Sequence, residues 1–242
     1  MSAEVALVTG VGPGLGSALA RRFARAGMSV TVAARHGEKL KSLVDELTRL
    51  GVRARNYDCD VVSEESVETL FSRVQKDFGV PRLVVYNAGA FLRKGILETT
   101  AEDFERCWKV GCLGGFYVGR AAARLMLGNP VGGAPGGTII FTGATASLRG
   151  SAMFHNLAVG KFGLRALAQS MARELQPRGI HVAHVVIDGQ IASERPGDRT
   201  NELGPDAVLD PADIAESYYQ LYRQRRSAWT LELDLRPWAE KF

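Results

Sequence analysis

Residues 4–16 read EVALVTGVGPGLG, an apolar run that breaks into four alternating glycines and then continues as a helical pattern. No other stretch narrows the fold as far. A strand that passes through Thr9-Gly10-Val11-Gly12-Pro13-Gly14-Leu15-Gly16 straight into an amphipathic helix is the start of a βα unit. Such units assemble into parallel sheets through right-handed crossovers. The glycines permit a tight turn and a close backbone approach, and a helix N-terminus favours an anion. The spacing is TGxxxGxG rather than GxGxxG, and its place between first strand and first helix points to a nucleotide.

The rest of the chain repeats this alternation. Apolar runs rich in Val and Ile predict strands at 4–9, 28–34, 52–57, 82–87, 138–142, 180–187 and 229–235. Amphipathic stretches predict helices at 14–27, 37–50, 63–78, 101–127, 152–176 and 211–226. Ser63 before Glu64-Glu65, Thr100 before Glu102-Asp103 and Asp210 before Pro211 are N-cap signals, while Gly27, Gly51 and Gly79 stand where helices end. The expectation is an α/β, doubly wound, seven-stranded parallel sheet forming one domain over 1–242. The Gly/Pro stretch 129–137 is read as a loop, because the alternation resumes immediately after it.

The 242 residues carry a net charge of +4, and the basic residues are dispersed. The densest group, RQRR at 223–226, is read as a solvated helix end rather than a nucleic-acid surface. Cys59, Cys107 and Cys112 form no CxxC pair and read as reduced thiols in a cytoplasmic protein, with no metal site. The short apolar N-terminus is a strand, and no stretch is long enough to span a membrane.

Several motifs together resemble the short-chain dehydrogenase/reductase family: TGxxxGxG; Asp60-Val61 after the third strand; Asn87-Ala88-Gly89 ending the fourth; Lys161 after the fifth; and AQSMARELQPRGIHV before the sixth. The resemblance implies a dinucleotide held by Thr9, Gly10, Gly14, Leu15, Gly16, Asp60, Val61, Asn87, Ala88, Gly89, Lys161 and Gly189. It also implies a homodimer or homotetramer in which the helices near 101–127 and 152–176 pair across a two-fold axis. At the end of the second strand, where an acid would bind the ribose 2′-hydroxyl of NAD, stands Ala34, followed by Arg35. A guanidinium forks onto a 2′-phosphate, so the expected cofactor is NADP(H).

The family's proton machinery is another matter. Counting from Lys161, the tyrosine place holds Leu157, the serine place Ala144 and the asparagine place Gly111. Only the lysine remains, and its ribose contact needs no tyrosine. Asp188, at the family's PG turn, is a candidate replacement acid or a simple Asp-Gly turn. Tyr86 is weighed as a packing residue, and His155 as pointing away. Thr145 and Ser147 can hydrogen-bond but are poor acids, and Arg93, Ser147, Arg149, Gln190 and Ser193 fall on loops facing a small-molecule substrate. Two functions follow: an oxidoreductase with a non-standard proton donor or a substrate needing little acid catalysis, or a catalytically silent NADP(H)-binding protein acting as sensor or dimer partner.

Overall fold

A computed structural model describes residues 3–130, 136–193 and 199–239; part of the 129–137 loop lies outside them. Seven strands form one parallel sheet in the order β3-β2-β1-β4-β5-β6-β7. They are β1 (Val5–Thr9), β2 (Ser29–Ala34), β3 (Ala54–Asp58), β4 (Leu83–Tyr86), β5 (Gly137–Thr142), β6 (Ile180–Ile187) and β7 (Glu232–Leu235). The α-helices are α1 (Leu15–Arg25), α2 (Lys41–Arg49), α3 (Glu64–Phe78), α4 (Ala101–Trp108), α5 (Gly114–Gly128), α6 (His155–Leu175) and α7 (Pro211–Arg223).

Side chains alternate across the sheet and supply two cores. Leu7, Val84, Ile139, Phe141 and Val182 face α3, α5 and α6. Val8, Val32, Val85, Ile140 and Val185 face α1, α2 and α7. Such two-sided burial explains why the strands read as near-continuous apolar runs. The chain order reverses between β1 and β4, and the carboxyl ends there open the crevice where sheets of this kind bind ligands.

The cap signals hold. Ser63 Oγ accepts from Ser66 N at 3.2 Å, Thr100 Oγ1 from Asp103 N at 3.2 Å, and Asp210 Oδ1 from Ala212 N at 2.7 Å. Several element boundaries depart from the sequence reading: β3 runs 54–58 rather than 52–57, and the helix expected at 37–50 is a 3-10 turn over Gly37–Leu40 followed by α2. The expected helix 101–127 is interrupted by a π-helical turn at Lys109–Leu113. The expected helix at 152–176 begins only at His155, because Met153 sits at φ +68° and breaks the turn. The last helix stops at Arg223, and β7 starts at Glu232 because Trp229 stacks flat on His181 instead of pairing with the sheet.

Candidate active site

The glycine-rich turn divides its labour. Gly10 has φ +75°, and a Cβ there would collide with the backbone of Ala88. The turn is therefore pressed onto the segment after β4, where Asn87 Nδ2 donates to Gly10 O at 3.1 Å and Asn87 N to Thr9 O at 3.0 Å. Thr9 Oγ1 donates to Val85 O at 3.2 Å, locking β1 to β4 beneath them. A Cβ at Gly16 would lie 2.8 Å from Val11 Cα, so this glycine also serves packing. Gly14 differs, since a Cβ there meets nothing within 4 Å. It opens α1, whose N-terminus has no side-chain cap and no acid in its first turn. An uncapped helix N-terminus fronted by open space fits a pyrophosphate.

Arg35 and Asp60 line one cleft of about 290 Å³, closed by Val62 and by Glu102, Glu105, Arg106, Lys109 and Val110. Asp60 Oδ1 accepts from Val62 N at 3.2 Å and shapes the turn after β3. Sequence reasoning missed Arg106 and Lys109. They stand one turn apart on the helix across from Arg35, a spacing visible only once the helix is placed opposite β2.

At the other end of the crevice the family positions have been repacked. Gly111 is buried in the π-helical turn against Gly160 of α6: a Cβ on either residue would sit 3.0–3.1 Å from the other's Cα. Tyr86, wholly buried, donates to Val110 O at 2.5 Å, satisfying a carbonyl of the segment that enters the π turn, and burial drives its phenol pKa upward. Ala144 and Leu157 are half-buried and bring no polar group.

Lys161 is buried, and its Nζ donates to Thr142 O at 2.6 Å. Desolvation pushes its pKa down to about 8. On the opposite face of β5, Tyr218 Oη donates to Thr142 Oγ1 at 2.9 Å, and this tyrosine is also fully buried. His155 pairs through Nε2 with Thr99 Oγ1 at 2.9 Å. Asp188 lies within 3.5 Å of Arg236, while its Oδ1 is buried without a partner. Gly189, at φ +150°, is closed over by Pro237. Gln190 O accepts from Leu209 N at 2.8 Å, tying the segment after β6 to the approach to α7.

A polar chain, unforeseen from the sequence and running from half-buried Arg165 and Glu232 to buried His184 and Ser147, underlies this end. Arg165 holds Glu232 through two bonds of 2.7 and 2.6 Å, Glu232 accepts from His184 Nδ1 at 3.0 Å, and His184 Nε2 faces Ser147 Oγ at 3.4 Å. Ser147 Oγ in turn accepts from Ala144 N at 3.1 Å. The order serine–histidine–carboxylate is that of a nucleophilic triad. However, Ser147 and His184 are both 0% exposed, so no substrate reaches the hydroxyl. The chain instead holds the 145–147 turn beside Ala144. Burial pushes His184 down to about 4, and Arg165 keeps the Glu232 carboxyl below its usual range. Gly143 is obligatory here, because a Cβ would strike the imidazole. The one trace in the sequence is a histidine interrupting an apolar strand on its α6-facing side.

The mouth is apolar and cationic. Phe91 and Phe154 stack with centroids 5.2 Å apart, Arg93 lies 5.9 Å from the Phe154 ring centre, and Leu148, Met153 and Arg149 are exposed nearby in the chain. Lys94 N donates to Met153 O at 3.2 Å, joining the two segments. Ser193 is half-buried. Among the described residues no group of three acidic, histidine or cysteine side chains could hold a metal.

A family model described as short chain dehydrogenase matches residues 4–199. A short-chain dehydrogenase/reductase of Armillaria gallica is 36% identical over 181 residues, 74% of this chain and 68% of its own. A short-chain dehydrogenase structure from Rhodopseudomonas palustris is 40% identical with a TM-score of 0.82, covering 97% of this chain and 99% of that one. An alcohol dehydrogenase from the archaeon Thermococcus sibiricus, complexed with 5-hydroxy-NADP, is 26% identical with a TM-score of 0.87 and covers 99% of both chains.

Proposed function

We propose, from the premise that the chain belongs to the short-chain dehydrogenase family, that it is an NADP(H)-dependent oxidoreductase acting without the family's tyrosine. The observation that carries this reading is Gly14: the turn around it is braced from behind by Gly10 on Ala88, yet the space in front is open. Backbone N–H groups of Leu15 and Gly16 would take the pyrophosphate, Arg35 the 2′-phosphate and Asp60 with Val61 the adenine side. Asn87, Ala88 and Gly89 support the floor, and Lys161 would hold the nicotinamide ribose, with Asp188 and Gly189 beyond it. A bound nicotinamide dinucleotide supplies or accepts hydride. The chain's own contribution is to orient the acceptor, exclude water with Leu157, Met153 and Phe154, and hold a positive charge at Lys161. The NADP-type complex of the Thermococcus relative supports the phosphate assignment.

Titration of NADPH and NADH, followed by fluorescence, tests the assignment. NADPH binds more tightly, and Lys161→Ala weakens it by roughly 1.5–3 kcal/mol, the scale of charge-assisted hydrogen bonds. Coincident curves for the two cofactors would remove Arg35 from its role, and an unchanged Lys161→Ala would remove the lysine.

The second reading, a silent NADP(H)-binding protein, is favoured by the Gly111–Gly160 contact, where a Cβ at the asparagine place would sit a tight 3.0 Å from the facing Cα. Turnover on a broad substrate panel separates the two.

The assembly we propose is a homodimer or homotetramer through α4–α6. Phe104, Trp108 and Phe116 form an exposed stripe at helical spacing, with Val159 and Phe162 exposed on α6. The glycines of α5 do not line that stripe: Gly114, Gly115 and Gly119 pack inward on Tyr86, Leu164 and Phe141. Light scattering should give a multiple of the 26.2 kDa chain, and Trp108→Glu with Phe162→Glu should reduce it to one.

A further inference from the structure

The cofactor crevice lies at the carboxyl ends of the strands. At their amino ends, on the far edge of the same sheet, two clefts adjoin. One, of about 570 Å³, is bounded by the starts of β1 and β5 and by Arg82, Arg223 and Arg226. The other, of about 900 Å³, is lined by Leu127, Pro177, Ala228 and Trp229, with Arg178 and Arg226. Gly179, Arg226 and Trp229 belong to both. Each has the size that takes a small molecule, roughly 300–1,000 Å³.

The charge of the smaller cleft is unbalanced. Elsewhere Arg21, Arg22, Arg55 and Arg120 each meet a carboxylate. Arg82 meets none among the described residues. It is half-buried and donates to Gly136 O at 2.7 Å and Asn129 O at 3.0 Å, carbonyls that bring only partial charge. A guanidinium withdrawn from water without a counter-ion is poorly compensated, and burial pulls its pKa down. Arg178 and Arg223 are exposed and form no ion pair among the described residues. Glu4 is the one carboxylate among the described residues that line this cleft, and it already accepts from the Tyr222 hydroxyl. As a solvated helix end, Arg223 complements the α7 dipole. That role does not account for Arg82, just before β4, and Arg226, beyond α7, converging on the same cleft.

The larger cleft supplies a different surface. Trp229 stacks on His181 with ring centroids 5.0 Å apart and planes 4° from parallel, and its Nε1 donates to Gln224 O at 3.3 Å. The indole plane is therefore fixed before any ligand arrives, with Leu127 and Pro177 in the same wall. We propose that the paired clefts bind a phosphate ester of a flat aromatic compound, its phosphate on Arg82 and Arg223 and its ring against Trp229. A phosphate dianion accepts from more than one guanidinium fork at once, which a single carboxylate does less well. A rigid aromatic wall takes a flat ring at little cost in side-chain ordering. The site lies at the opposite ends of the strands from the nicotinamide dinucleotide, so both ligands can be held together.

Isothermal titration calorimetry at low ionic strength tests this with 4-nitrophenyl phosphate, inorganic phosphate and 4-nitrobenzyl alcohol, each with and without saturating NADPH. The aryl phosphate should bind roughly 10-fold or more tightly than either fragment, the scale of one charge-assisted hydrogen bond. Its affinity should be the same in the presence of NADPH. Arg82→Gln and Arg223→Glu should each weaken it by about 10-fold, and Arg35→Ala, in the cofactor crevice, should leave it unchanged. Equal affinity for inorganic and aryl phosphate overturns the proposal. Competition by NADPH, or loss of binding in Arg35→Ala, places the phosphate in the crevice and overturns it as well. Arg82 also holds two carbonyls, so Arg82→Gln can fail to fold; the exposed Arg223→Glu then decides alone. Unchanged affinity in Arg223→Glu overturns the proposal.

Discussion

The crevice has two ends built to different standards of polarity. Around β1, β2 and β4, Thr9 and Asn87 brace the turn from behind, Gly14 fronts an uncapped helix and open space, and the exposed Arg35 lines a cleft with Arg106 and Lys109, which pair with Asp103 and Glu105. Around β5 and β6 the polar groups face one another, in the Arg165–Glu232–His184–Ser147 chain and the Tyr218–Thr142–Lys161 contacts. Groups that spend their hydrogen bonds inside the protein stabilise it and are unavailable to a ligand. The first end is arranged for binding. The second contributes mainly structure, with Lys161 and Asp188 buried in it.

The sharpest way to break this contrast uses two glycines of one turn. Gly10→Ala forces a Cβ into the Ala88 backbone at a positive φ and should cost roughly 3–4 kcal/mol of stability in denaturant unfolding. Gly14→Ala meets nothing and should leave the midpoint nearly unchanged while weakening NADPH. If both variants unfold alike, the division between bracing and binding glycines is wrong.

A similar magnitude is expected from Lys161 through pH. Its pKa falls to about 8 in the folded chain, whereas an unfolded lysine titrates near 10.4. Between these values the unfolded state binds the extra proton, so stability rises with pH across that window, by roughly 3 kcal/mol from this group. Below about pH 8 the full penalty of a buried charge is present. Lys161→Met should abolish this slope and raise the cofactor-free protein's stability at pH 7. A variant less stable than the native chain at pH 7 would mean that the charge is well compensated.

At the open end, Arg35→Ala should weaken NADPH by about 2 kcal/mol, leave NADH unchanged and leave thermal stability unchanged, since the side chain is exposed. A drop in thermal stability would show that this end also carries structure. The smallest effect belongs to Ser147→Ala, which strands Ala144 N and His184 Nε2 and should cost roughly 1 kcal/mol without altering NADPH affinity. Weakened cofactor binding in that variant would join the polar chain to the binding end.

These two ends also differ in how far they could be read from sequence. The turn at 9–16, the caps at Ser63, Thr100 and Asp210, and β6 at its full extent are local matters of propensity and spacing, so they were visible. Lys161 could be placed by motif, but its bond to Thr142 O could not, because that depends on how deeply α6 sits against β5. The π-helical turn at 109–113 arises where Gly111 meets Gly160 and Tyr86 reaches Val110, contacts 24 to 49 positions apart in the chain. Ser147 reads as a loop hydroxyl for substrate, yet it is enclosed through partners on β6 and, by way of β7, α6. Met153 gave no warning of a left-handed backbone, since methionine has no preference for it.

The contact between Gly111 and Gly160 bears on how such a site can change over generations. With the two helices at this spacing, a single substitution that restores an asparagine at 111 meets the Cα of Gly160 at about 3.0 Å before its amide is even placed. The two segments would have to shift by a few tenths of an ångström to admit it. A side chain at 111 is therefore coupled to the position of the α6 backbone at 160. Changing either glycine alone strains the contact, whereas a paired adjustment of the two segments would relieve it.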